Sequence, residues 1–300
     1  MQLTGLHILL TYQCTYECDH CFVWGSPFQS GTFTLQELEQ VFQQAAGCGI
    51  QEIYFEGGEA FLYYPLLLAG VSRASALGFF TGIVSNAYWA TSPEDALLWL
   101  DPLVQAGLNH LDVSSDLFHG ETMVTPQVRH ALQAASELGL NAGDIQIEPP
   151  STYRDPAAFT PGEPVTGGDV MYRGRAAEKL ASLVSHRPWT EFTTCPYEDL
   201  LAPGRLHLDP LGNLHLCQGL VIGNLFRQPL GHILEAYDPS EIPVVAELIH
   251  GGPAEIVRRF ELEHQPGYAD ACHLCYSARN ALRERFPEVL APNQMYGVFS

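Results

Sequence analysis

Positive charge is scarce in this chain: 14 Lys and Arg stand against 34 Asp and Glu over 300 residues, a formal charge of −20. A surface of that sign repels phosphate backbones and anionic headgroups, so neither nucleic acid nor a membrane surface is expected as a main partner. The acidity reads as a solvated surface. It could also attract a basic redox partner or peptide, although no single acidic block marks such a place. Long apolar runs are missing too: none approaches the roughly 20 residues that span a bilayer. The N-terminus lacks the basic start and apolar core of a signal peptide and enters a strand pattern at once with Leu6, Ile8, Leu9 and Leu10. A cytoplasmic protein is expected. Internal repeats and low-complexity tracts are absent. Eight cysteines in a chain of this length point to metal in a reducing compartment more than to a secreted disulfide scaffold.

Strand-like apolar runs alternate with helical stretches to about residue 186, the pattern of parallel βα units. Strands are predicted near Gly5–Thr11, Gln51–Glu56, Phe79–Ser85, His110–Ser114, Asp144–Glu148 and Asp169–Tyr172. Helix starts are marked by Thr34 with Glu37, a capping box, and by Ser92-Pro93 and Thr125-Pro126, each a cap before an N1 proline. Six such units fall short of a closed eight-stranded barrel. After Arg187-Pro188-Trp189 the pattern changes, so two domains are expected, 1–188 and 189–300. The second opens with a hairpin, Arg205–Leu208 and Leu214–Leu216 around Asp209-Pro210-Leu211-Gly212-Asn213. Helical stretches follow near Ile242–His250, Ala254–Glu263 and Tyr276–Arg285. Pro149–Gly168 is the longest loop, and loops of that length are often functional.

Cys14, Cys18 and Cys21 bring three soft thiolates into one short loop, with three residues in the first gap and two in the second. Such a set suits an iron–sulfur cluster or zinc. A fourth ligand is not close in sequence, and a metal with one unprotected position can bind and activate a small molecule. The spacing resembles the radical S-adenosylmethionine enzymes, with His20 at the place before the third cysteine where that family carries an aromatic residue. The resemblance implies a partial (β/α)6 barrel. It also implies a [4Fe–4S] cluster on the three cysteines, whose fourth iron chelates S-adenosylmethionine. An electron from a donor such as flavodoxin or ferredoxin then cleaves the sulfonium to a 5′-deoxyadenosyl radical, which abstracts a substrate hydrogen. The protein itself contributes placement and exclusion of water.

Gly57-Gly58-Glu59, ending the second strand, resembles the family's glycine-rich motif there, where glycines let backbone approach a ligand and Glu59 could accept from the cofactor ammonium. At the later strand ends the resemblance implies cofactor contacts from Ser85, Asn86, Ser114 and Asp116, with Ile145 packing on the adenine and Arg175 available to a carboxylate. The same residue types also form ordinary turns, and Arg175 could equally be a surface arginine. A substrate base is needed as well, and Asp116, His119 and Glu148 are the candidates.

Cys195, Cys217, Cys272 and Cys275 can fill a second cluster with no open iron. Their placement resembles the shortened auxiliary-cluster domain called twitch, and resembles the longer SPASM domain in its first half only. Zinc remains an alternative for this quartet. Cys48, at a helix end, reads as a small core residue. Two clusters in one chain imply a net oxidation of a substrate C–H bond. A peptide substrate, as in ribosomal peptide maturation, stands beside a small polyol or amino-sugar, and no leader-binding domain is expected ahead of the first strand. A non-catalytic zinc-binding scaffold is the alternative from another class.

Overall fold

The computed structural model describes residues 3–153 and 168–299, so most of the long loop after Pro149 lies outside the described residues. In β1 (Gly5–Leu9) the alternation puts Leu6 and Ile8 into the core and His7 on the opposite face. There follow α1 (Leu35–Gly47), β2 (Glu52–Glu56), α2 (Tyr64–Ala76), β3 (Phe80–Ser85), α3 (Pro93–Gln105), β4 (His110–Ser114), α4 (Pro126–Glu137) and β5 (Asn141–Ile145). All three sequence-marked caps form. The Thr34 hydroxyl accepts from Glu37 N at 3.2 Å while Glu37 accepts from Thr34 N at 2.6 Å, and Ser92 and Thr125 accept from Asp95 N and Val128 N at 3.1 and 3.3 Å.

Beyond β5 come α5 (Arg175–Lys179), β6 (Arg187–Pro188), β7 (Arg205–Leu208), β8 (Asn213–Cys217), β9 (Leu220–Asn224), α6 (Leu230–Glu235), α7 (Val245–Phe260), β10 (Gly267–Tyr268) and α8 (Ala271–Leu282). The main sheet runs β5-β4-β3-β2-β1-β7-β8-β9, parallel from β5 to β7 and antiparallel across the last two ladders. Helix α7 breaks at Gly251 and at Gly252 (φ 65°), where an added Cβ would lie 2.3 Å from the Thr193 backbone.

Two strand expectations are corrected. No strand forms at Asp169–Tyr172: Val170 and Tyr172 pack against Phe118, Ala176 and Leu180, and Tyr172 N donates to Asp270 at 3.3 Å. The sixth parallel strand is instead β7, which takes the free edge of β1. The expected six-unit partial barrel is therefore an open α/β sheet, five βα strands wide, that the hairpin extends. Strand β5 also starts earlier than the Asp144–Glu148 alternation suggested, because Asn141–Ile145 is the stretch in register with His110–Ser114.

One face of the sheet carries the core. Ile53, Phe55, Ile83, Leu111 and Val113 pack against Leu38, Val41, Phe42, Leu67, Val71, Leu100, Leu103 and Val128 of the helices. The other face carries aromatic and titratable side chains. His7 stacks on Tyr54 at 5.0 Å, and Gly82 leaves room for the Tyr54 ring, which an added Cβ would meet at 2.2 Å. Among the described residues no helix is long and apolar enough to cross a membrane.

Candidate active site at the strand ends

The stem of the first cysteine loop is an extension of the β1–β2 ladder. Leu10 N donates to Glu56 O, Gly58 N to Thr11 O and Glu59 N to Gln13 O, at 2.8, 2.7 and 2.8 Å. This crossing explains the glycine pair in a way the sequence did not suggest. Gly57 has φ 145°, and added Cβ atoms at Gly57 and Gly58 would lie 2.5 Å from Thr11 O and 2.2 Å from Gln13 O. The close approach in this structure is therefore to the stem that delivers Cys14.

Three N–H donors face the sulfurs of the loop: Tyr16 N and Asn86 Nδ2 toward Cys14 Sγ, at 3.4 and 3.5 Å, and Gly25 N toward Cys21 Sγ at 3.3 Å. From behind, Arg175 braces the loop. Its Nη1 donates to Cys18 O at 2.8 Å and its Nη2 to Gly25 O at 2.9 Å, while its backbone N donates to Cys21 O at 2.9 Å. Gly174, at φ 58°, makes that approach possible, since an added Cβ would lie 2.4 Å from Phe22 Cα. Burial pushes the Cys14 thiol up to about 12, with the charges of Glu59 and Cys21 adding to it; Cys18 is raised further by burial and by both other thiols. Three thiolates here need a bound cation to offset their mutual repulsion.

A cavity of about 140 Å³ opens over this loop at the carboxyl ends of β1 to β4 and is lined by Cys14, Cys18, Cys21, Gly57, Gly58, Ser85, Asn86, Ser114 and His119. Glu59 lies just behind the wall, buried. Its carboxylate accepts from Phe61 N, Ser85 Oγ and Asn86 N at 3.0, 2.9 and 2.8 Å, so it orients two cavity residues. Burial raises its pKa to about 7 against those three hydrogen bonds. Asp116 is buried behind His119 and accepts from its Nδ1 at 2.8 Å and from Phe118 N at 2.9 Å. Burial alone would raise Asp116, but the His119 partnership brings it below its usual value. With Nδ1 engaged by Asp116, Nε2 is the ring nitrogen left over.

Ile145 and Glu148 do not join this cavity: Ile145 is exposed at the end of β5, and Glu148 lines a separate cleft of about 550 Å³ with Gln146, Tyr153 and Asp169. Glu56, which the sequence left unremarked, lines the cavity and bridges His7 and His207 at 3.2 and 2.6 Å. Cys48 is half-buried at the end of α1, away from both cysteine sets.

The late cysteines converge from three elements. Cys217 ends β8, Cys272 and Cys275 share a face of α8, and Cys195 follows β6. Each of Cys272 and Cys275 feels the charge of the other thiols, and burial pushes Cys275 up to about 11, with Arg279 opposing. Arg173 Nη1 donates to Cys217 Sγ at 2.8 Å.

Among the described residues, four buried side-chain atoms lack a hydrogen-bond partner: His20 Nδ1, Arg173 Nε, Gln218 Oε1 and Arg279 Nε. His20 lies between Cys18 and Cys21 in the chain, and the two arginine Nε–H donors lie beside the quartet, where the sulfurs of a sulfide-rich ligand would accept from them; Gln218 Oε1, an acceptor, is not satisfied in that way. Tetrahedral zinc needs thiolates roughly 3.8 Å apart, given Zn–S bonds of about 2.3 Å. No three cysteine sulfurs among the described residues lie within 4.8 Å of one another, so both sets are spread wider than tetrahedral zinc requires.

Residues 8–141 match the family model described as the Radical SAM superfamily. That stretch is a radical SAM domain. The chain is 26% identical over 148 residues to the PqqA peptide cyclase of Methylorubrum populi, which is 45% of this chain and 36% of the relative. It is 25% identical over 127 residues to YydG of Bacillus subtilis, a protein named for peptide biosynthesis, covering 42% of this chain and 40% of that one. The chain thus matches well under half the length of these curated relatives. A solved structure described as polyhistidine-tagged anSMEcpe with bound AdoMet superposes with a TM-score of 0.51 at 12% identity, covering 99% of this chain and 98% of that chain. That likeness shows a shared fold.

Proposed function

We propose that this protein is a radical S-adenosylmethionine enzyme that oxidatively modifies a C–H bond of a peptide. In this reading Cys14, Cys18 and Cys21 hold a [4Fe–4S] cluster with one open iron, in a domain spanning 1–188. Cys195, Cys217, Cys272 and Cys275 hold a closed auxiliary cluster of the twitch or SPASM type in 189–300. When bound, the first cluster and S-adenosylmethionine together supply the 5′-deoxyadenosyl radical that takes a substrate hydrogen. The observation that carries the proposal is the single cavity that joins the three-cysteine loop to the glycine pair and to Ser85, Asn86, Ser114 and His119.

The chain's own residues have definable tasks there. Tyr16 N, Gly25 N and Asn86 donate toward the ligand sulfurs, which lowers the cost of their charge. Gly57 and Gly58 bring bare backbone to the cavity wall, and Glu59 holds Ser85 and Asn86 in place. Asp116 fixes His119, whose Nε2 is the substrate base of this proposal. The peptide class is supported by the names of the two curated relatives, and the acidic chain suits a basic leader segment.

The test is anaerobic reconstitution with iron and sulfide, expected to load about four irons per cluster. With a reductant, or with flavodoxin or ferredoxin as electron donor, the protein should convert S-adenosylmethionine to 5′-deoxyadenosine and methionine. Cys14→Ala, Cys18→Ala and Cys21→Ala should each abolish that conversion, and full cleavage by any one of them would remove the ligand assignment. A short peptide encoded beside the gene should accelerate 5′-deoxyadenosine formation and leave the reaction two hydrogens lighter. Acceleration by polyols or amino-sugars alone would refute the peptide assignment.

A further inference from the structure

Two arginines are buried beside the late cysteines with little to balance them. Arg173, from the segment before α5, and Arg279, one turn beyond Cys275 on α8, are 7% and 2% exposed. Among the described residues Arg173 has one carboxylate within 4 Å, Glu198 at 3.9 Å, beyond hydrogen-bond range; Asp270 acts on it from farther off, and its firm contact is Cys217 Sγ at 2.8 Å. Arg279 donates to Gln218 O at 3.0 Å and to the Cys275 thiol, and its remaining strong electrostatic neighbours are Tyr296, Cys217 and Cys272. An isolated buried charge is costly unless it is paired. The Nε atoms of both guanidinium groups are the orphaned donors of this region. Four thiolates around a [4Fe–4S] core carry two net negative charges in the oxidised state, which two guanidinium groups balance. Net charge and hydrogen bonds to sulfur are the levers that set a cluster's potential.

We propose that Arg173 and Arg279 are positioning residues of the C-terminal quartet, whose buried charges and N–H donors raise the reduction potential of the cluster held there and so fit it to accept an electron. This rests on the reading that Cys195, Cys217, Cys272 and Cys275 hold an iron–sulfur cluster.

The experiment uses the full chain carrying Cys14→Ala, Cys18→Ala and Cys21→Ala, so that the remaining iron belongs to the late cysteines. Iron and sulfide per chain are measured first, then the midpoint potential by redox titration followed by electron paramagnetic resonance. Arg173→Gln and Arg279→Gln are each expected to retain iron and to lower the potential, disfavouring one-electron reduction at least tenfold, a shift of about 59 mV. Arg173→Lys and Arg279→Lys keep the charge and should recover most of the shift, an outcome that a purely structural role does not give. The two Gln variants are measured separately, so if one fails to fold the other still reads the potential. Full iron with an unmoved potential in a Gln variant would overturn the inference and leave the cluster reading intact. Zinc, or no metal, in the parent protein would overturn the cluster reading itself.

Discussion

Arg175 separates two accounts of the same residue. The resemblance implied a guanidinium presented to a cofactor carboxylate, whereas the structure spends it on the carbonyls of Cys18 and Gly25, at 2.8 and 2.9 Å. At 6% exposure, water cannot replace it if it is removed. Hydrogen bonds from a charged donor contribute about 1.5 to 3 kcal/mol each, so losing both in Arg175→Met should cost about 3 kcal/mol even at the lower limit. The guanidinium also lies 5.3 Å from the Trp24 ring centroid, and that contact is lost with it. For a chain of this size 3 kcal/mol corresponds to a fall in Tm of about 6 °C.

The measurement belongs in the metal-free protein, where cluster loss cannot contribute, with thermal unfolding followed by circular dichroism. Arg175→Lys should recover little, because one ammonium on a flexible stem does not span two carbonyls as a planar fork does. Reconstituted Arg175→Met should also carry less iron at the first cysteine set, since its loop is no longer braced. An unchanged Tm with full iron loading, and weakened S-adenosylmethionine binding as the sole defect, would refute the bracing role and restore the carboxylate one.

Other expectations concern the same stem and its surroundings. Gly58→Ala should destabilise the chain by about 3 kcal/mol or more, the upper range for overpacking, because its Cβ would meet Gln13 O at 2.2 Å; Gly47→Ala, with nothing within 4 Å, should be neutral or stabilising in the same urea titration. Metal-free protein should lose stability as pH rises from 4.5 to about 7, since buried Glu59 stays protonated in the folded state over that window while the unfolded state releases the proton. At about 1.36 kcal/mol per pH unit the loss approaches roughly 3 kcal/mol, and Glu59→Gln should flatten that stretch of the profile. Asp209→Ala should cost about 3 to 5 kcal/mol, the range for stripping a buried charged partner, because one carboxylate accepts from Tyr12, Leu211, Asn213 and His215. Asp209→Asn should cost less, read from the same urea midpoints.

Local signals in the sequence were read correctly wherever neighbours in the chain decide the outcome. Thr34, Ser92 and Thr125 cap because their hydroxyls bond to backbone three residues away, and Asp209 to Asn213 turn because the carboxylate collects the N–H groups of its own loop. The strands through His110–Ser114 follow from alternation alone. Misreadings arose where distance in the chain decides. Val170 and Tyr172 alternate like a strand, but their burial comes from Phe118 and α5, and alternation cannot tell a ladder from a packed loop. The edge of β1 went to β7, some 200 residues on, and the hydrogen bond from Tyr12 to Asp209 spans 197 positions. In the cavity the cysteines stand out in the sequence by their spacing, whereas the glycine pair, expected to face a ligand, packs against the stem at Thr11 O and Gln13 O. Glu59 and Arg175 do not stand out, since a sequence names a charge without saying whether it points to a ligand or to a carbonyl behind the wall.

The segment Arg173-Gly174-Arg175 ties the two cysteine sets together. Arg173 donates to Cys217 Sγ and lies 5.0 Å from the Phe22 ring centroid, Gly174 fits against the Phe22 backbone, and Arg175 holds Cys18 and Gly25. Three consecutive residues leave no slack, since each Cα is about 3.8 Å from the next. A displacement of the first loop therefore carries Arg173 with it and moves a charge at the quartet. With the proposed cluster loaded at the quartet, Arg175→Met should accordingly shift its potential in the direction of Arg173→Gln, though by less, even with the first three cysteines replaced. A potential that follows Arg173 alone, unmoved by Arg175→Met, would mean that the two sites are braced separately.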